Sequence, residues 1–303
     1  MRQIRLSALH GAAALAIGLL SAQGAVVADA TPATLTNASV RAGVSDYGTL
    51  GSNGTTPPGI LYDASGTATY GSNDFLTPGT PFEGFYLTSS QGNWFSNNDG
   101  GDSFGTSSPT QLSATHVSWS ATTSGGLTVT NDYQLDTTGG RSVIAITTTL
   151  LNNTGSDLSS LAFLRTLDPD PDMNNYSSYS TVNTLVGTDQ ACGTGSSSGQ
   201  TICLYDAAGG FDGTVGISTG PWSTSPAAFL AGLNAGNGDN SLGLAYSLGT
   251  LVNGESLTLS YGYALGGSLG VATIPSAVPE PETWALVMAG LPLLGLSRRR
   301  RKA

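Results

Sequence analysis

Through the middle of this chain apolar and polar residues alternate with a period of two, and no stretch there sustains a helical period. Such alternation marks strands with one face buried. Leu112 to Ala121 predicts one strand, turned by Gly125-Gly126. Leu127 to Leu135 predicts the next, with Leu127, Val129, Asn131 and Tyr133 on one face. After a turn at Thr137-Thr138-Gly139-Gly140 comes Ser142 to Leu151. After a second turn at Asn152 to Asp157 comes Leu158 to Leu167. Four strands at this spacing read as an antiparallel meander. Segments near Ser180–Val186, Thr201–Tyr205, Thr214–Ser218, Ala227–Leu233, Leu242–Leu248 and Ser256–Ala264 continue the pattern. The expected class is all-β: an antiparallel β-sandwich of ten or more short strands over residues 31–277. Residues 31–110 are less periodic, richer in Gly and Pro, and form a looser part of that body.

The two ends break the pattern. Arg2 and Arg5 precede an apolar run from Leu6 to Leu20, followed by small residues, which predicts a signal helix over residues 1–30. Ala28-Asp29-Ala30 fits the cleavage rule and would start the mature chain at Thr31. Ala22-Gln23-Gly24 is a second candidate. At the other end stands Val278-Pro279-Glu280-Pro281-Glu282, with Trp284 close behind. An apolar run from Ala285 to Leu296 follows, containing Leu286, Leu291, Leu293 and Leu294. Arg298-Arg299-Arg300-Arg301-Lys302 close the chain. The prolines hold the backbone extended, and the two glutamates suit the N-terminus of the short helix behind them. About 13 apolar residues give roughly 20 Å of helix, short of the roughly 30 Å hydrocarbon core. The segment predicts a marginal membrane anchor with its basic end on the cytoplasmic side.

Residues 278–303 closely resemble the PEP-CTERM tail of exported Gram-negative proteins, also known under an ice-binding protein C-terminal domain label. The resemblance implies an exosortase-type processing protease as partner. It also implies transient anchoring in the inner membrane and passage to the cell surface or beyond. Three patterns in the body resemble a domain recurring in PEP-CTERM and other bacterial surface proteins: Pro81-Phe82-Glu83-Gly84-Phe85, Leu164 to Asp172, and Asn253 to Tyr261. That likeness implies a β-rich secreted context and no particular activity.

Removing both ends changes the charge balance. The chain holds 10 basic and 20 acidic residues. Between Thr31 and Ala277 only Arg41, Arg141 and Arg165 oppose 17 carboxylates, leaving a net charge near −14. A surface this acidic excludes nucleic acid and anionic lipid as partners and favours divalent cations. Cys192 and Cys203 are the only cysteines, and in an exported chain they predict one disulfide. His116 is the body's one histidine, too few nitrogen ligands for zinc.

Asp168-Pro169-Asp170-Pro171-Asp172 is the candidate for chemistry. Alternation puts Asp168, Asp170 and Asp172 on one side of an extended segment, where calcium is the cofactor they would take. The EF-hand pattern is not met, because Met173 and Tyr179 occupy its glycine and glutamate positions. The competing reading is an Asp-Pro turn whose charge Arg165 neutralises. Catalysis finds little support. Gly195-Ser196-Ser197-Ser198-Gly199 matches a nucleophile elbow only in letters. A Ser-His-Asp triad would have to use His116. Glu83 and Glu255 are the body's only glutamates, with nothing in the sequence to bring them together. Trp94, Phe95, Trp119, Trp222, Tyr176, Tyr179, Tyr205, Tyr261 and Tyr263 offer rings for stacking on sugars, although in a sandwich such rings more often fill the core. Thr147-Thr148-Thr149 forms no regular rank of the kind ice binding needs. The expectation is an exported cell-surface or extracellular-matrix protein, structural or adhesive in a biofilm, associated with exopolysaccharide and not an enzyme. The alternative is a secreted carbohydrate-active enzyme, which two acids facing each other in a cleft would favour.

Overall fold

Seventeen strands and three short helices make up the described part of the chain. The computed structural model describes residues 33–52, 56–77, 82–98, 101–105, 107–138, 141–207 and 209–275. In chain order the elements are β1 (Ala33–Thr36), β2 (Val40–Val44), β3 (Ile60–Tyr62), β4 (Glu83–Ser89), β5 (Gly92–Asn97), β6 (Gly101–Asp102), β7 (Thr110–Ser113), β8 (His116–Thr122) and β9 (Leu127–Thr138). There follow β10 (Arg141–Asn152), β11 (Leu158–Leu167), α1 (Met173–Tyr176), β12 (Thr181–Val186), β13 (Gln190–Gly195), β14 (Thr201–Asp206) and β15 (Gly213–Thr219). Last come α2 (Pro226–Leu230), β16 (Asn240–Leu251), β17 (Ser256–Gly266) and α3 (Leu269–Ala272).

The strands form three sheets. One has eight strands in the order β12-β13-β14-β17-β10-β9-β8-β7, one has six in the order β15-β16-β11-β4-β5-β6, and β1-β2-β3 make a third. The two larger sheets face each other across an aromatic core, so the mostly antiparallel β architecture expected from the alternation is present. Phe85 of β4 meets Trp119 of β8 at 6.0 Å between centroids, and Phe163 of β11 meets Tyr261 of β17 at 5.8 Å. Such tilted and edge-on contacts add to what the burial of rings already contributes. The predicted face of β9 is inward, with Leu127, Val129, Asn131 and Tyr133 all fully buried. The small sheet shares the same core through Leu35, Val44, Leu50 and Ile60. At Gly48 the backbone has φ +65° and lies so close to Trp119 that a Cβ would come within 2.2 Å of the ring.

Four expectations are corrected. The meander breaks after β10, which pairs with β17, while β11 crosses to the opposite sheet between β16 and β4. The reason is burial on both faces. From Leu161 to Leu167 every residue of β11 is buried, the mark of a central strand rather than of a half-solvated one. Leu112 to Ala121 is a hairpin instead of one strand, because its first half is polar and exposed, Leu112 included. Ala227–Leu233 is not a strand. Ser225 caps α2 by accepting from the Ala228 N–H, and Pro226 begins the helix. Phe229 then lies over Gly216 and Gly243 on the outer face of the six-stranded sheet, where an added Cβ would reach its ring at 2.8 and 2.2 Å. Finally, residues 33–102 hold six strands that weak periodicity did not mark, and the small, buried residues of β13 hid that strand too.

Candidate functional site

The acidic run continues β11 past its end. The Asp168 N–H donates to Phe82 at 2.8 Å and the Asp170 N–H to Phe75 at 2.7 Å, so neighbouring backbone fixes both residues. The Leu167–Leu242 pairing, carried on, sets Asp168 opposite Ser241 and Asp170 opposite Asp239, just before β16. Carboxylate oxygens of Asp168, Asp170 and Asp239 all lie within 4.8 Å of one another. Asp168 and Asp170 are each only 2 % exposed, whereas Asp239 faces solvent. Burial, with Asp239 adding, pushes the Asp168 carboxyl up to about 8. Burial, then Asp168 and Asp239, pushes Asp170 up to about 9. Burial also raises Asp239. Asp168 Oδ1, Asp170 Oδ1 and Ser241 Oγ are buried without a hydrogen-bond partner.

The predicted trio is thus partly redrawn. Asp172 turns away, and its carboxylate accepts from the Ser197 and Ser198 N–H groups at 2.7 and 3.1 Å. Those serines belong to the loop between β13 and β14, so the apparent elbow motif is a hairpin turn that Asp172 clamps. Gly193 and Gly195 allow the approach: a Cβ would meet Pro169 at 2.7 Å at the first and Asp172 at 2.4 Å at the second. Asp239 escaped sequence reading because it is distant in the chain and stands alone in a Gly/Asn loop. The β11–β16 pairing and the bridge of Gly238 to Thr181 of β12 bring it to the run.

Arg165 does not neutralise these acids. It points into the sandwich and pairs with Glu83, both side chains fully buried. Its Nε and Nη2 donate to the two Glu83 oxygens, the latter at 2.9 Å, and Nη2 also reaches the Tyr133 hydroxyl at 3.2 Å. Glu83 further accepts from the Leu50 N–H at 2.6 Å and the Tyr263 hydroxyl at 2.8 Å. Burial works against the guanidinium charge, but Glu83 and the surrounding tyrosines hold Arg165 well above its usual value.

The remaining predicted residues scatter. Cys192 and Cys203 face each other across β13 and β14 and are joined in a disulfide with Cα atoms 4.0 Å apart. His116 contacts Asp132 on the eight-stranded sheet, and Glu255 sits in an exposed turn, far in the chain pairing from the enclosed Glu83. Trp119, Tyr205, Tyr261 and Tyr263 are core residues, while Tyr176 and Tyr179 are exposed. Trp222 lies against Phe82 at 4.9 Å.

Phe95 is different. It is 40 % exposed on β5 and stacks on Tyr86 of β4, centroids 6.2 Å apart and planes 10° off parallel. Gly101 passes so close beneath it that a Cβ would touch the ring at 2.9 Å. The pair forms a wall of a cleft of about 600 Å³, lined also by Asn93, Asn97, Thr224 and Ser225.

The predicted sorting signal Val278–Glu282, the predicted anchor from Trp284 through Leu294 and the predicted basic stop Arg298–Arg301 lie outside the described residues, as does the predicted signal helix over residues 1–30. No helix among the described residues is long and apolar enough to cross a membrane. Residues 277–302 match the PEP-CTERM protein-sorting motif. That motif makes the chain an exported protein and a substrate of an exosortase. No curated protein matches the chain.

Proposed function

We propose that this exported protein is a structural or adhesive component of the cell surface or extracellular matrix that holds exopolysaccharide in the Phe95 cleft. The exposed Phe95 ring, backed by Tyr86 and bordered by amide and hydroxyl side chains, carries the reading. A sugar ring offers an apolar face to such a platform and hydroxyls to its rim. A body near −14 repels polyanions, which points to a neutral polysaccharide. A binding role is favoured over the enzymatic alternative because the paired acids Asp168 and Asp170 are enclosed, out of reach of a polymer.

Affinity electrophoresis of the secreted protein through gels containing neutral polysaccharides tests this. Retardation is expected, with Phe95→Ala binding about tenfold more weakly, or about 1.4 kcal/mol, and a melting temperature lowered by no more than about 6 °C. Equal retardation of the variant, or none of the wild type, would sink the proposal. Release of reducing sugar would turn the case to the enzyme.

A further inference from the structure

We propose that Asp168, Asp170 and Asp239 form a calcium site that ties the end of β11 to the start of β16. Three observations meet there. Their oxygens lie within 4.8 Å of one another, and calcium takes oxygens at about 2.3–2.6 Å, so two ligands of one ion stand at most about 5 Å apart. Magnesium, at about 2.0–2.1 Å and near-octahedral, needs a tighter set. Next, Asp168 Oδ1 and Asp170 Oδ1 are orphaned inside the protein, on residues only 2 % exposed. Buried polar atoms without partners are rare in folded proteins, and each calls for a cause such as an ion. Ser241 Oγ, a third buried orphan, lies on β16 two residues beyond Asp239.

No cation among the described residues takes the place. Arg165 is committed to Glu83, Arg141 donates to the Val271 carbonyl at 3.3 Å, and Arg41 stands exposed on β2. The body has no other arginine and no lysine. Asp239, facing solvent, gives the ion its way in and leaves room for water ligands. The site therefore joins elements that are far apart in the chain: the Asp-Pro run after β11 and the Gly/Asn loop before β16. The disulfide hairpin leans on the same run through Pro169 and Asp172.

The test is calorimetric titration of chelator-stripped protein with calcium chloride, alongside thermal melting. One calcium per chain is expected, with Kd between about 1 μM and 1 mM, and magnesium at least about tenfold weaker. Asp239→Asn, at an exposed position, is expected to raise the calcium Kd at least tenfold while melting in chelator at or above the wild-type temperature. Asp170→Asn is expected to abolish binding while melting in chelator at or above the wild-type temperature, which shows that it folds. Asp212→Asn, an exposed acid elsewhere, is expected to bind as wild type. The proposal is overturned by no heat and no melting shift at about 10 mM calcium. An unchanged Kd in Asp239→Asn, or an equal loss in Asp212→Asn, overturns it too.

Discussion

Replacing Arg165 with methionine keeps most of the apolar stem and removes the only charge facing Glu83. The Glu83 carboxylate then keeps two donors, the Leu50 N–H at 2.6 Å and the Tyr263 hydroxyl at 2.8 Å, but has no counter-charge and is fully buried. The guanidinium also leaves its place 5.8 Å from the ring centroids of Phe85 and Tyr133. Removing one member of a buried pair costs about 3–5 kcal/mol, because the other stays buried and unpaired. At about 2–4 °C per kcal/mol for a domain of this size, melting falls by roughly 6–20 °C. Glu83→Gln strands the arginine instead, although its amide oxygen can still accept from Leu50. The double variant removes both charges, and such replacements are often neutral. Urea unfolding of all four proteins closes a double-mutant cycle. The double variant is expected within about 2 kcal/mol of wild type, far from the sum of the singles. Additive losses, or a loss below about 1 kcal/mol for Arg165→Met, would refute the argument that Glu83 depends on this partner.

Three further outcomes follow from the same structure. Burial, and then Asp136, pushes the Tyr205 hydroxyl up to about 12 from an ordinary 10.0. The folded state thus favours the phenol, so this contribution, about 3 kcal/mol for two pH units, is whole below pH 10 and is lost as pH rises through about 12. Melting from pH 9 to 12 checks it: Tyr205→Phe is expected to flatten part of the alkaline fall, and an identical profile would discount the residue. Cys192→Ala with Cys203→Ala opens a loop of sequence separation 11 and is expected to lower unfolding free energy by about 3 kcal/mol in urea; no change would discount the crosslink. Mass spectrometry of the secreted protein is expected to find Met1 to about Ala30 missing and the tail trimmed near Pro279–Glu282. An intact Arg298–Lys302 end on released material would contradict processing there.

The sequence by itself determined the sorting tail and the all-β character. Both are local signals. The tail is recognised as a contiguous string, Val278 to Lys302, and β9 and β10 announce their faces by alternation alone. Local signals failed where burial is two-sided or packing overrides propensity. The run Leu161–Leu167 carries no alternation, so nothing local marks its place in the opposite sheet, and the apolar residues of α2 suggest a strand although Ser225-Pro226 mark a helix start. At the acidic site the chain marked Asp168 and Asp170, and only tertiary structure decided what they meet. Spacing of two in sequence said nothing of Asp239, which the β11–β16 register brings across, and it set Asp172 beside them when that carboxylate serves the Ser197–Ser198 turn. Arg165 shows the reason most plainly. Three residues from Asp168 in the chain, it lies on the inward face of its strand, and the period-two geometry of a strand puts neighbours in sequence on opposite sides of a sheet.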